Sequence, residues 1–160
     1  QAEGLRIMGV QAGDRVALVL PNCPQHIVAF YAVLRLGAIV VEHNPLYTAP
    51  ELRHQFEDHG ARVVIAWDKI ATSITRMPKD LAVEHVVAVD ITESMSTLMR
   101  LGLRLPLKKL AEQRRELTQP APGAIPWRTL ASHEPLRADH PRPVAQDIAL
   151  LQYTLSLIHI

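Results

Sequence analysis

Hydrophobic and polar positions alternate in blocks along this chain, and the blocks have two lengths. Short apolar runs of four to seven residues are separated by longer stretches with helical spacing. Asp14–Leu20 (DRVALVL) is the first short run. Its interior has no polar alternation, so it reads as a strand covered on both faces, as parallel strands are. Before it, Gln1–Gly9 reads as the last turns of a helix, with Gly9 as its stop. Pro21 and Pro24 end the strand, and Pro24 suits the first turn of a helix capped by Asn22 or Cys23. That helix runs to about Leu36. Ile27, Phe30, Tyr31 and Leu34 recur three and four apart and predict its core face.

The pattern then repeats. Ala38–Val41 is a second strand. Thr48, Pro50 and Glu51 form the start of a helix over Pro50–His59, with a capping box between Thr48 and Glu51 and a stop at Gly60. Arg62–Trp67 is a third strand, Asp68 is expected to cap the helix after it, and His85–Asp90 is a fourth strand. Strand and helix alternate across short loops, which predicts the α/β class: a parallel sheet with helices on both faces, joined by right-handed crossovers.

After Asp90 the alternation stops. Leu98–Glu116 sets Arg100, Arg104, Lys108, Lys109, Arg114 and Arg115 among seven leucine and methionine side chains, and Pro106 divides it. A basic amphipathic stretch of this kind can lie on an anionic membrane surface, and the plain alternative is a solvated basic face. Gln119–Pro126 is a proline-rich connector without helix or strand pattern. Trp127–Ser132 fits one short helix, His133–Pro143 a polar loop, and Asp147–Tyr153 (DIALLQY) a last apolar strand. Residues 95–146 therefore read as an insert and connector within an α/β unit spanning 1–154.

Composition narrows the function classes. The chain has 160 residues, 48% hydrophobic and 21% charged, and a net charge of +1. That is ordinary globular material, and no strong positive field points to nucleic acid. Cys23 is the one cysteine. It cannot form an internal disulfide, which fits a reducing, cytoplasmic setting, and no base stands beside it to make it a nucleophile. The longest apolar run, Ile27–Val41, is interrupted by Arg35 and Gly37 and falls short of the roughly 20 residues a spanning helix needs. The eight histidines form no HxxxH pair and have no cysteine partners, so no metal site is expected. Glu57 and Asp58 are adjacent on a helix and do not face each other. No GxGxxG or GxxxxGK[ST] occurs. The fold alone places a ligand at the carboxyl ends of the strands, near Leu20–Cys23, His43–Tyr47, Trp67–Asp68 and Tyr153–Thr154.

Three blocks carry a family resemblance. Leu34–Ala61 (LRLGAIVVEHNPLYTAPELRHQFEDHGA), with its Asn44-Pro45-Leu46-Tyr47-Thr48 loop, resembles the second signature block of adenylate-forming acyl-CoA synthetases, in particular the long-chain fatty acid–CoA ligase branch. Leu5–Asn22 resembles the opening block of those enzymes. Asp147–Thr154 resembles the strand leading into their phosphate-binding loop. The resemblance implies the N-terminal part of a ligase that uses ATP, Mg2+ and coenzyme A to adenylate a fatty acid and transfer it to the thiol. The acid could equally be of another type, because the acyl pocket lies in later sequence. A stand-alone flavodoxin-like binding module without catalysis is the reading from a different class.

One departure limits what carries over. The family continues past the equivalent of Thr154 with a Ser/Thr/Gly-rich loop and Pro-Lys-Gly; here Leu155-Ser156-Leu157-Ile158-His159-Ile160 follows. Without glycine or lysine the backbone has no close approach to a triphosphate. Thr154 is the one residue carried over as nucleotide-binding, as the start of a truncated loop; no catalytic and no metal-binding residue is carried over, and the 160-residue piece is expected to bind none of these cofactors. LSLIHI is also the peptide encoded by one frame of a transposon end used in DNA library preparation, so residues 155–160 are expected to be a non-native tail. Gln1 is not an initiator, and both ends are expected to be cuts in a longer protein.

Overall fold

Val16, Ala17, Leu18 and Val19 are all fully buried, because the strand they form has a neighbour on each side and helices on both faces. The computed structural model describes residues 1–153, and its elements follow in chain order: α1 (Ala2–Ile7), β1 (Arg15–Val19), α2 (Pro24–Arg35), β2 (Ile39–Glu42), α3 (Ala49–His59), β3 (Val63–Trp67), α4 (Asp68–Thr75) and β4 (His85–Val89). A 3-10 turn at Ile91–Ser94 leads to α5 (Thr97–Gly102), α6 (Lys108–Leu117), β5 (Ile125–Pro126), α7 (Trp127–Ala131) and β6 (Leu150–Gln152). The six strands lie in the order β5-β4-β3-β1-β2-β6, and every pairing is parallel. The expected α/β sheet with helices on both faces is the fold of this chain.

Alternation along the strands sends side chains to two cores. Val16 and Leu18 of β1, with Val63 and Ile65 of β3 and Val87 and Val89 of β4, face α1, α2 and α7. Ala17, Val19, Val64, Ala66 and Val86 face the opposite way, onto Leu52 and Phe56 of α3 and Ala71 and Ile74 of α4. At roughly 25 cal/mol per Å2 of apolar surface removed from water, these two layers are the main source of stability.

The expected starts and stops are largely present. Glu51 Oε2 reaches back 2.7 Å to the Thr48 amide, as a capping box requires, and accepts the Thr48 hydroxyl as well. Gly60 closes α3 at φ +60°, a left-handed position that suits glycine. The basic stretch is two helices with Pro106 between them.

Four expectations need correction. Only half of the row Ile27–Phe30–Tyr31–Leu34 faces the core: Phe30 and Leu34 pack against it, whereas Ile27 and Tyr31 are 62% and 66% exposed. The helix also turns Gln25, Ala29, Ala32, Val33 and Leu36 to the sheet, a second helical row whose small side chains permit close approach. Cys23 is the N-cap of α2, but neither it nor Asn22 supplies a side-chain cap bond. The connector Gln119–Pro126 holds a strand after all, since Ile125 and Pro126 pair with Val87 and Ala88 at the sheet edge, where proline is tolerated. The last strand is only Leu150–Gln152 and is half exposed, because it lies at the other edge. Among the described residues, no helix is long and apolar enough to cross a membrane.

Candidate functional site

The carboxyl ends of β1, β2, β3, β4 and β6 all open at one end of the sheet, and the strand order switches between β1 and β3, with β2 added on one side of β1 and β3 on the other. Clefts at such an end are where open parallel sheets hold ligands. Two groups of polar side chains gather there.

The first lies over β2 and β6. Glu42 ends β2 and accepts from His26 Nε2 of α2 at 2.8 Å, which raises the His26 pKa. His43 follows and is buried. Its Nδ1 lies 2.6 Å from Gln55 Oε1 and donates to it, which leaves Nε2 as an acceptor. His59, also buried, receives the Ala61 amide on Nδ1 at 2.9 Å, so its Nε2 carries the proton. The two rings stand 5.0 Å apart, and among the described residues neither Nε2 atom has a hydrogen-bond partner. Burial holds both imidazoles neutral, His59 down to about 4, with the neighbouring His43 as a second cause. Tyr153 stacks on His43 at 5.6 Å, and its hydroxyl donates to Asp58. Burial, followed by the Asp58 carboxylate, pushes the phenol up to about 12. With one ring nitrogen spent on the backbone and the other protonated, His59 is unsuited to a metal.

The second group lies over β3 and β4. A cleft of about 740 Å3 is lined there by Asp68, Asp90 and Glu93, by Arg114, Arg115 and Arg128, and by Thr118–Ala121, Pro126 and Trp127. Asp68 does not cap α4 with its side chain; Trp67 is the N-cap and Asp68 the first helical residue. Its Oδ2 accepts the Thr118 hydroxyl and the Gln119 amide instead, and burial pushes its carboxyl up to about 6.

The expected positions therefore divide. His43 and Tyr153 come together, as β2–β6 pairing requires. Trp67 and Asp68 belong to the other group. Asn44–Tyr47 forms a tight turn in which Asn44 Oδ1 accepts the Leu46 amide at 2.9 Å, leaving Leu46 exposed. Cys23 sits at the start of α2 with its thiol pKa raised by burial, the wrong direction for a nucleophile. Thr154, the one expected nucleotide contact, lies outside the described residues. Sequence reasoning missed Gln55, His59 and Asp58 as partners of His43 and Tyr153. The spacing of His59 just before a helix-ending glycine was the one available signal. Among the described residues, no three histidine, cysteine or carboxylate side chains could hold a metal ion together.

A family model described as AMP-binding enzyme matches residues 1–154. The chain is 36% identical over 149 residues to a long-chain-fatty-acid–CoA ligase of Salmonella typhimurium, covering 92% of this chain and 26% of that protein. It is 30% identical over 155 residues to an acetyl-coenzyme A synthetase of Laribacter hongkongensis, covering 96% of this chain and 22% of that protein. A solved long-chain-fatty-acid-CoA ligase of Archaeoglobus fulgidus superposes with a TM-score of 0.61 at 22% identity, over 96% of this chain and 25% of that one; it shares the fold. The chain thus spans about a quarter of the length of the curated relatives it matches.

Proposed function

This chain belongs to the AMP-binding enzyme family, and from that premise we propose that it is part of an ATP-dependent fatty acid–CoA ligase. The observation that carries the substrate class is the 36% identity over 92% of the chain to a long-chain ligase. In such an enzyme a fatty acid carboxylate attacks the α-phosphate of ATP, pyrophosphate leaves, and the thiol of coenzyme A then displaces AMP to give the thioester. Charge develops on phosphate and carbonyl oxygens, so the chemistry needs Mg2+ and preorganised donors. Among the described residues no three histidine, cysteine or carboxylate side chains could hold a metal ion together, and Thr154, where the phosphate loop would start, lies beyond them. No step is assigned to a side chain of this piece. What it contributes is the scaffold: the β2–β6 pairing and the His43–Tyr153 stack hold the strand end from which that loop would continue.

On this reading the 160-residue chain alone is inactive, and residues 155–160 are a non-native tail. Calorimetric titration with ATP and Mg2+ is expected to give no heat of binding, and micromolar affinity would overturn it. The parent gene supplies the second test. A Ser/Thr/Gly-rich loop with Pro-Lys-Gly directly after Thr154 supports the ligase, whereas an intact gene ending in LSLIHI supports a non-catalytic module. A second reading, a ligase for a different carboxylic acid, is favoured by the identity to the acetyl-coenzyme A synthetase. Turnover of acetate against oleate by the full-length parent separates the two.

We place the enzyme in the cytoplasm with peripheral membrane contact through residues 98–116. The supporting observation is that Leu98, Met99, Leu101, Leu105 and Leu107 are exposed beside the six basic side chains of residues 98–116. Co-sedimentation with anionic vesicles, lost when Leu98 and Leu101 become serine, is the expected result.

A further inference from the structure

The α5–α6 pair has an uneven hold on the rest of the molecule. Neither helix contains a fully buried residue. Among the described residues, the side-chain hydrogen bonds that join this pair and its exit to the sheet all run to one corner, where β3 becomes α4. Trp67 Nε1 donates to Leu117 O at 2.8 Å, and Lys69 Nζ donates to Glu116 O at 2.9 Å. These are the orphan carbonyls of the last turn of α6, which has no glycine cap of its own. Just beyond, Thr118 and the Gln119 amide donate to Asp68 Oδ2, and Gln119 Nε2 donates to Lys69 O at 2.7 Å. Asp68 is nearly fully buried, yet among the described residues its Oδ1 has no hydrogen-bond partner.

We propose that α5–α6 is a detachable arm latched to the sheet at the Trp67–Asp68–Lys69 corner, and that uptake of a proton by Asp68 closes the latch. A buried carboxylate with one unpartnered oxygen destabilises the docked arm when ionised, and a proton relieves that charge. Detachment exposes Asp68 to water and removes the burial that raises its pKa, so the docked form binds the proton more tightly than the detached form. Lower pH therefore favours docking, and ionisation toward neutral pH loosens it. Asp90 at the end of β4 is the charge that acts on Asp68; Glu93 of the 3-10 turn, Arg114 and Arg115 of α6 and Arg128 of α7 line the same cleft, and the Lys69 ammonium next along α4 is turned to Glu116 O. Arg128 is already paired with Glu93 at 3.2 Å. Asp90 lies on the sheet side and also opposes ionisation of Asp68.

The latch acts on the segment assigned above to membrane contact and would regulate it, but the test uses no lipid, so failure of one reading leaves the other standing. Detached, a ten-residue helix is only marginally stable in water, so its amides exchange. Hydrogen exchange of the 160-residue chain, corrected for intrinsic rates, should show residues 108–117 about tenfold better protected at pH 5 than at pH 8, while β1 and β3 gain no protection at pH 5. Asp68→Asn should remove the pH dependence and keep the arm closed at pH 8. Trp67→Phe, which keeps the corner packed and drops one hydrogen bond, should lower protection of 108–117 by about fivefold at both pH values. Equal protection of 108–117 at the two pH values in the wild-type chain overturns the proposal. So does an unchanged pH response in Asp68→Asn, or β1 and β3 loosening together with α6.

Discussion

At the scale of single residues, the most consequential group is the buried pair His43 and His59. Their partners assign complementary tautomers: His43 offers a lone pair at Nε2, and His59 offers a proton there. Both are neutral in the folded chain. The His59 pKa is about 4, against an ordinary value near 6.5. The unfolded chain therefore binds more protons between those values, and stability rises with pH across that window. Acidification from pH 6.5 to 4 should cost about 3 kcal/mol from His59 alone. His26 acts in the opposite sense: its bond to Glu42 stabilises the fold while it is protonated, and that contribution fades as pH rises through its raised pKa. Thermal melts of His59→Asn, whose amide oxygen can still receive the Ala61 amide, should show a flatter decline between pH 6.5 and 4; an unchanged slope would remove His59 from the account. Little of this could be read from sequence. His43 was placed at a strand end by its context, but His59 looked like any polar residue at the end of a helix. Its role depends on a fold that carries α3 back over β2 and brings β6 in beside it.

At the scale of elements, the chain's punctuation was its most legible part. Thr48 with Glu51, Pro24 and Gly60 act through local geometry, so they work wherever the element sits. What faces the core was less legible, because it depends on the partner. On α2 two apolar rows compete, and the sheet selects the one with Ala29 and Ala32. The edge strands escaped notice or were overdrawn because two or three residues carry too little pattern to outweigh their prolines and polar neighbours. Packing between α1 and α7 gives an element-scale prediction. Gly4 sits inside α1, where helix propensity alone would favour alanine by about 1 kcal/mol. A Cβ at Gly4 would lie 2.9 Å from Leu130 Cα, a backbone atom that cannot swing aside. Gly4→Ala should therefore destabilise the protein, by about 1–3 kcal/mol, and a raised midpoint in urea would show that α1 moves freely over α7.

At the scale of the whole molecule, the sheet has two short edges, and one outer helix face, Ile27, Val28 and Tyr31, is uncovered. Unpaired strand edges and exposed apolar faces favour association. The 160-residue chain is expected to self-associate in sedimentation velocity at micromolar concentration, and a single monomeric boundary would contradict this. The strand order also has a consequence in time. Arg15 meets Ile39 across 24 positions of chain, Val63 meets His85 across 22 and Val16 meets Val63 across 47, whereas Leu150 must find Val40 across 110. Loop-closure entropy grows only logarithmically, so the longer closure costs about 1.4 kcal/mol more. Three residues of edge strand give little in return. β1 to β4 can assemble before α5 has left the ribosome, while β6 joins last and frays first. The strand that ends at Gln152 is thus, with β5, one of the two weakly committed edges of the sheet, and a ligand held at its end would also complete the folding of its own platform.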